Sequence, residues 1–128
     1  MNSKQLGILG EKIALNYLRA KGYKILDKNY SFRISGNPQK GEIDIIAKKS
    51  DITSFIEVKT LRQTQDESFS PEEKVNFWKQ KKIVKTAESW LMKKKIPLDT
   101  KWQIDVIAIK VDQDNKKAKI RHFKNAVF

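Results

Sequence analysis

The chain has 128 residues, which suits one domain built from one sheet and a few helices around a shared core. It contains no cysteine, so disulfides and thiolate metal sites are excluded, and no apolar run reaches the roughly 18 residues that span a bilayer. The formal net charge of +12 predicts a polyanionic partner, of which nucleic acid is the usual one.

Two alternatives to nucleic acid are a membrane surface and a lysine-rich composition without a specific partner. The sequence has no terminal amphipathic anchor with bulky apolar residues opposite a basic face, which disfavours the membrane surface. We therefore expect a cytoplasmic protein that binds nucleic acid and no membrane.

The first half of the chain predicts one helix and three strands. Apolar residues on one broad face indicate a helix from Ser3 to Lys21, which Gly22 ends. Turn-forming residues from Ser35 to Pro38 predict a loop between the first two strands. The predicted strands are Lys24 to Tyr30, Glu42 to Lys48 and Thr53 to Thr60.

The second half predicts a polar loop, a long helix and two strands. Ser70-Pro71-Glu72-Glu73 carries the signals of a helix N-terminus, and Pro97 prevents the helix from continuing beyond about Lys95. The other predicted elements are the loop Leu61 to Phe69, the strand Trp102 to Val111, the turn Asp112 to Asn115 and the strand Lys117 to Phe123. The order α-β-β-β-α-β-β predicts a mixed sheet with helices on its faces, an α/β or α+β architecture.

Three carboxylates and a lysine interrupt two otherwise apolar strands. Because strand side chains alternate between faces, Glu42 and Asp44 should share one face of their strand, and Glu57 and Lys59 one face of theirs. The apolar residues between and beside them are expected to enter the core; these are Ile43, Ile45, Ile56 and Val58. Charges on buried strands are costly unless they are paired or bind a metal, so this pattern needs a reason.

A short hairpin turn that pairs Lys49 with Ile52 would place Asp44 opposite Glu57 and Glu42 opposite Lys59. Opposed carboxylates repel, and a divalent cation between them would remove the repulsion. Mg²⁺ commonly takes one or two carboxylates and completes its shell with water and phosphate. The pattern thus predicts a Mg²⁺ or Mn²⁺ site that hydrolyses phosphodiesters, with Lys59 neutralising developing charge. The alternative is a Glu42–Lys59 salt bridge beside an exposed Asp44.

Two acidic residues outside these two strands, Glu11 and Asp105, each have two alternative roles. Glu11 lies among small and apolar residues of the first helix, so it either reaches the metal or its water, or pairs with a lysine at the edge of the core. Asp105, on an apolar strand, is expected to pair with a lysine or arginine rather than to bind a ligand. His122 is assigned no role.

The long helix has an apolar stripe and an opposite basic face. Lys81, Lys82 and Lys85 should neutralise phosphates, and Trp78 either stacks on a base or packs against a neighbouring loop. Gln80 is polar within the apolar stripe, so it bonds either the site and its substrate or the backbone.

Together these residues resemble the YraN-like uncharacterised bacterial proteins along nearly the whole chain. The matching segments are Gly10-Glu11, Ala14, Leu18, Gly22-Tyr23, Asn29-Tyr30, Gly41 to Asp44, Glu57 to Thr60, Lys79-Gln80, Ala87, Leu91 and Asp105-Val106. The resemblance implies one restriction-endonuclease-like (tRNA-endonuclease-like) domain over residues 1–128, related to archaeal Holliday junction resolvases.

The same resemblance implies a metal site at Asp44 and Glu57, with Lys59 as the catalytic lysine and Glu11 as a further acidic member. Lys79 is also expected to contact nucleic acid, and Glu42 and Asp105 are candidates for supporting roles. Such proteins usually have an arginine directly after the Lys-Thr pair, where this chain has Leu61 followed by Arg62. We assign that phosphate-contacting role to Arg62.

Two functions are therefore expected as alternatives. The first is a Mg²⁺-dependent endonuclease acting on DNA, including branched or junction DNA. The second is a non-catalytic nucleic-acid-binding adaptor in DNA repair or uptake with a vestigial nuclease site. The likeness to resolvases also suggests a homodimer, because a junction offers two symmetric strands.

Overall fold

The computed structural model describes residues 1–33, 40–63 and 77–126, and side chains within these ranges except those of residues 77–80. Within these ranges, two helices and five strands occur in the predicted order. They are α1 (Ser3–Ala20), β1 (Lys24–Arg33), β2 (Lys40–Lys49), β3 (Ile52–Arg62), α2 (Phe77–Lys93), β4 (Trp102–Asp112) and β5 (Lys117–Phe123). Within these residues, no helix has both the length and the apolarity needed to cross a membrane.

The five strands form one mixed sheet in the order β1-β2-β3-β4-β5. The β3–β4 pair is parallel and the other pairs are antiparallel. The mixed α+β architecture predicted from the sequence is therefore confirmed. β4 is an interior strand, because it pairs with β3 on one side and β5 on the other.

Local signals explain where the helices begin and end. Asn2 caps α1 through a reciprocal capping box with Gln5, and Gly22 follows the helix with a φ of 91°, a left-handed conformation that glycine adopts without strain. At the end of α2 the positive φ of Lys95, 58°, stops the helix just before Pro97. The loop signal at 35–38 and the capping signal at 70–73 lie outside the described residues. The predicted loop from Leu61 begins later than expected, because β3 continues through Arg62.

Each face of the sheet carries one helix and one hydrophobic cluster. The α1 cluster includes Leu15 and Leu18 of the helix with Ile45, Ile56 and Ile107 of the strands. The α2 cluster is formed on the opposite face. Its buried members are Ile43, Ile46, Phe55, Ile83, Ala87, Trp90, Leu91, Ile104 and Val106. The core thus has three layers, with the sheet between α1 and α2.

The alternation of β2 side chains between the two faces of the sheet is interrupted between Asp44 and Ile45. Ile43 packs in the α2 cluster and Ile45 in the α1 cluster, so the prediction that both enter the core on one face is wrong. The break is matched in β1, where Asn29 lies between the paired positions Lys28–Ile45 and Tyr30–Ile43 and has a φ of 52°. Asparagine tolerates this left-handed conformation better than most residues, which explains how the pairs on either side of Asn29 keep one register.

Candidate functional site

The predicted hairpin register is confirmed, but it ends one pair before the carboxylates. Paired positions run from Lys49–Ile52 to Ile45–Ile56, after which β2 and β3 continue without pairing. Asp44 is therefore not a Cα partner of Glu57, and Glu42 is not opposite Lys59. The two strands separate at this point, and we call the place where they separate the fork.

The Asp44 side chain bridges the fork. Its Oδ2 accepts a 2.7 Å hydrogen bond from the amide of Val58, the residue between Glu57 and Lys59. A partly buried amide that has left the ladder needs another partner, and Asp44 supplies one. The same hydrogen bond holds the Asp44 carboxylate next to Glu57 and Lys59, although the predicted pairing of Asp44 with Glu57 does not occur.

The charges around the fork influence one another. Burial, followed by the negative charges of Glu57 and Glu11, raises the pKa of Asp44 to about 6, while the Val58 amide and Lys59 act in the opposite direction. Partial burial and two neighbouring carboxylates thus both disfavour the charged form of Asp44. The carboxylates of Asp44, Glu57 and Glu11 are thus near enough to interact.

Glu57 and Lys59 belong to β3, and Asp44 belongs to β2, the other strand of the fork. The Lys59 Nζ is 3.3 Å from Glu57 Oε1, and their side chains are 26% and 13% exposed. Because Phe55 packs in the α2 cluster and Val58 against the α1 cluster, alternation places Glu57 and Lys59 on the α2 side of the sheet. The prediction that these two side chains share a face is confirmed.

Glu11 is brought to the fork by the close packing of α1 on β3. A Cβ added at Gly10 would lie 1.8 Å from Thr60 Oγ1, so the helix approaches the strand as only glycine allows. Asn29 Nδ2 donates a 3.0 Å hydrogen bond to Glu11 Oε1. The observed partner is thus Asn29, which sequence reasoning missed, rather than a lysine.

A cavity of about 510 Å³ opens beside the fork on the α1 side. Its lining combines the two acidic residues with the first turns of α1 and the end of β3. The lining residues are Ser3, Lys4, Leu6, Gly7, Ile8, Glu11, Asp44, Val58, Thr60, Leu61 and Arg62. Arg62 donates a hydrogen bond to the Met1 carbonyl, so its guanidinium is held at the rim of this cavity.

Glu42 does not join the fork. It is exposed, and its carboxylate lies 3.5 Å from Lys40 Nζ. The alternative interpretation, a Glu42–Lys59 salt bridge beside an exposed Asp44, is wrong on both counts, because Lys59 pairs with Glu57 and Asp44 is mostly buried.

The available ligands suit a hard divalent cation. Oxygen donors of Asp44 and Glu57, with Glu11 beyond them, are the type that Mg²⁺ and Mn²⁺ prefer. Among the described residues, however, no three histidine, cysteine, aspartate or glutamate side chains are grouped closely enough to hold a metal. A cation at the fork would therefore rest on one or two carboxylates and take its remaining ligands from water and phosphate.

The family model of the uncharacterised protein family UPF0102 matches residues 10–109 of the chain. The chain belongs to this family. Among its UPF0102 relatives, the protein of Clostridium tetani is 46% identical over 98% of both chains. The Alkaliphilus oremlandii protein is 40% identical over 97% of this chain and 98% of its own, and the Thermodesulfovibrio yellowstonii protein 44% identical over 97% and 96%.

The likeness to uncharacterised bacterial proteins inferred from the motifs is thereby confirmed. The part of the chain that matches UPF0102 includes the four fork residues Glu11, Asp44, Glu57 and Lys59. Because the family is uncharacterised, membership does not assign an activity, and the chemistry depends on the residues at the fork.

A second polar group in this UPF0102 protein is buried under α1, away from the cavity. Asp105 is fully buried and accepts hydrogen bonds from Gln103 Nε2 (2.9 Å) and the Asn125 amide (2.9 Å), and its Oδ2 lies 2.8 Å from His122 Nε2. His122 Nδ1 is 3.1 Å from the Tyr17 hydroxyl. Burial, then the charge of Asp105, raises the pKa of Tyr17.

This network corrects two expectations. Asp105 pairs with His122 rather than with a lysine or arginine, and His122 has a structural role that the sequence analysis did not assign. Two features of the sequence could have predicted this pair. One is an aspartate on an apolar strand, and the other is the chain's sole histidine on the next strand. The Asp105–His122–Tyr17 network ties β4, β5 and α1 together.

The basic face of α2 lies on the side of the sheet that carries Glu57 and Lys59. Lys81 and Lys85 are exposed and Lys82 is half-buried. At Gly41 an added Cβ would lie 1.9 Å from Thr86 Oγ1, so α2 packs closely on the start of β2. The side chains of Trp78, Lys79 and Gln80 lie outside the described part of the chain, and their expected roles stay predictions.

Proposed function

We propose that this UPF0102 protein is a Mg²⁺- or Mn²⁺-dependent endonuclease that hydrolyses phosphodiester bonds in DNA, with branched or junction DNA as its substrate. The observation that carries the proposal is the fork itself. A mostly buried Asp44 with a pKa of about 6 meets the Glu57–Lys59 ion pair of 3.3 Å on neighbouring strands that have stopped pairing. A carboxylate with a raised pKa that lies beside other carboxylates and a lysine is typical of functional sites rather than of stable cores.

The residues divide the chemistry among them. Asp44 and Glu57 would hold the cation, and Glu11, oriented by Asn29, would bond water in the adjoining cavity. When bound, the cation supplies polarisation of the phosphate and activation of water. Lys59 would neutralise charge that develops on the phosphate oxygens, because its ammonium lies 3.3 Å from Glu57 and its charge acts on Asp44.

The charge of the chain supports DNA as the substrate. A net charge of +12 attracts phosphates over long range, and the exposed Lys81 and Lys85 add local contacts on the Lys59 side of the sheet. Arg62, at the rim of the cavity that Asp44 and Glu11 line, is placed to contact a phosphate near the fork.

The second candidate is the non-catalytic nucleic-acid-binding adaptor. Two observations favour it: one Asp44 oxygen is engaged by the Val58 amide, and the described residues contain no three-ligand metal group. This candidate keeps the basic surfaces and assigns the fork a purely structural role.

A nuclease assay separates the two candidates. Single-stranded, duplex, flap and four-way-junction DNA would be incubated with the purified protein and Mg²⁺, Mn²⁺ or EDTA. The endonuclease proposal predicts cleavage of at least one branched substrate that EDTA abolishes and that is lost in Glu57→Gln. Binding of these substrates without metal-dependent cleavage of any of them would contradict the endonuclease and support the adaptor.

A further inference from the structure

A row of basic side chains crosses the last two strands of the sheet. In the β4–β5 register Lys110 is directly opposite Lys119, and Ala108 is opposite Arg121. In the β3–β4 register Lys59 is beside Ala108. Lys59, Ala108 and Arg121 therefore stand in one line across three strands, and Lys110 and Lys119 form the next line. We call Lys110, Lys119 and Arg121 the β4–β5 basic row.

The basic row lies on the same face as Glu57 and Lys59. Val106 and Phe123 pack with the α2 cluster, whereas Ile109 and Ile120 pack with the α1 cluster. Alternation from these residues places Lys110, Lys119 and Arg121 on the α2 side, where Lys59 also lies. The described part of α2 packs mainly over β2 and β1, and Lys119 and Arg121 are exposed while Lys110 is half-buried.

Two lysines directly opposite each other destabilise a sheet, so this pair needs a compensating role. Among the residues that the structure describes, neither Lys110 nor Lys119 has an ion-pair partner. Arg121 is held in place, because its guanidinium lies 5.1 Å from the centre of the Phe123 ring and Phe123 packs against the core. Within the described part of the chain, the row is thus a positive surface that no acidic side chain neutralises, with Arg121 held against Phe123.

We propose that the β4–β5 basic row binds the phosphate backbone of DNA and guides it across the sheet to Lys59. This inference rests on the proposed function and adds to it the path of the substrate. Neighbouring strands are about 4.8 Å apart, so Lys59 to Arg121 spans roughly 10 Å, a length of duplex that carries about six phosphate charges. Phosphates between the facing lysines also remove the repulsion that the row would otherwise cost.

The test is the salt dependence of DNA binding by Lys110→Gln/Lys119→Gln/Arg121→Gln, measured by fluorescence anisotropy on duplex and junction DNA. Loss of three phosphate contacts should flatten the log–log slope of affinity against salt by about two to three units. The matched control is Lys12→Gln/Arg19→Gln/Lys24→Gln, which removes the same charge from exposed positions on α1 and the start of β1. Its slope should change by less than one unit.

The triple variant should fold, because it removes like charges that face each other. Lys119→Gln alone is an exposed substitution on an edge strand and provides a second, independent measurement. It should flatten the slope of affinity against salt by about one unit. An unchanged slope in both variants, with cleavage by the unmutated protein intact, would overturn the path and leave the endonuclease proposal standing. Equal flattening in the control and the row variants would also overturn it, since net charge alone would then explain binding.

Discussion

The Asp44 carboxylate accepts a 2.7 Å hydrogen bond from the Val58 amide at the point where β2 and β3 stop pairing. The bond satisfies an amide that is not paired with β2, and it holds a partly buried carboxylate next to Glu57 and Lys59. It therefore links local backbone structure to the charge cluster on which the proposed function depends. The consequences can be measured without knowing the substrate.

Asp44→Asn separates the charge of this residue from its hydrogen bond. The amide oxygen of asparagine can still accept from Val58, while repulsion by Glu57 and Glu11 disappears. Without metal at pH 8, we expect a melting temperature equal to or a few degrees above that of the unmutated protein. The rise in melting temperature caused by Mn²⁺ should be largely lost, because ligand-linked stabilisation requires binding to the folded state.

The control for this prediction is Asp99→Asn, which removes an exposed carboxylate outside the fork. It should keep the full response to Mn²⁺. Differential scanning fluorimetry with and without millimolar metal measures both variants. A response in Asp44→Asn as large as in the unmutated protein would show that the cation binds elsewhere.

The raised pKa of Asp44 predicts how stability depends on pH. The folded pKa, about 6, exceeds the ordinary value of 3.8, so the folded state favours the protonated form. This contribution is complete below pH 4 and is lost as the pH rises through 6, a change of about 1–3 kcal/mol. Denaturant unfolding from pH 4 to 8 should show the unmutated protein losing stability relative to Asp44→Asn over this interval. A constant difference between the two proteins would contradict the origin assigned to the shift.

Much of the fold was accessible from the sequence because its elements follow simple periodicity. The strands from Thr53 and from Lys117 were predicted within two residues of their observed bounds, and the hairpin register followed from the short turn at Ser50 and Asp51. The break at Asp44 was not accessible. It depends on a left-handed Asn29 in a different strand and on the Asp44 side chain replacing a backbone partner, neither of which alternation can show.

The site was likewise only partly predictable. The residue types of Asp44, Glu57 and Lys59 and the shared face of the last two were readable from spacing. The bond from Asn29 to Glu11 and the pairing of Asp105 with His122 join residues 18 and 17 positions apart. Such contacts depend on how helices and strands pack, and single-strand patterns carry no information about them.

Gly10 and Gly7 provide a matched test of the packing that positions Glu11. An added Cβ at Gly10 would overlap Thr60, whereas nothing lies within 4 Å of one at Gly7. We expect Gly10→Ala to destabilise the fold by ~1–3 kcal/mol and Gly7→Ala to stabilise it by ~0.5–1 kcal/mol. Urea unfolding measures both. Equal effects of the two substitutions would contradict the close contact between α1 and β3.

The basic face of α2 is tested by changing Lys81, Lys82 and Lys85 together to Gln. If all three contact phosphate, the log–log slope of DNA affinity against salt should flatten by roughly two to three units. The fold should tolerate the change because Lys81 and Lys85 are exposed and Lys82 is only half-buried. Anisotropy with labelled oligonucleotides at several salt concentrations gives the slope. An unchanged slope would move the binding surface away from this helix.

Single-turnover cleavage of a branched DNA by the unmutated protein and by Lys59→Ala measures whether Lys59 acts with the fork carboxylates in phosphodiester hydrolysis. With Mg²⁺ or Mn²⁺ present, the account predicts a rate at least ~100-fold lower in Lys59→Ala, the scale of losing one charge-stabilising group. The dissociation constant for the same DNA, measured without metal, should change little. Cleavage at the same rate in both proteins would contradict the account, because the activity would then arise away from the fork.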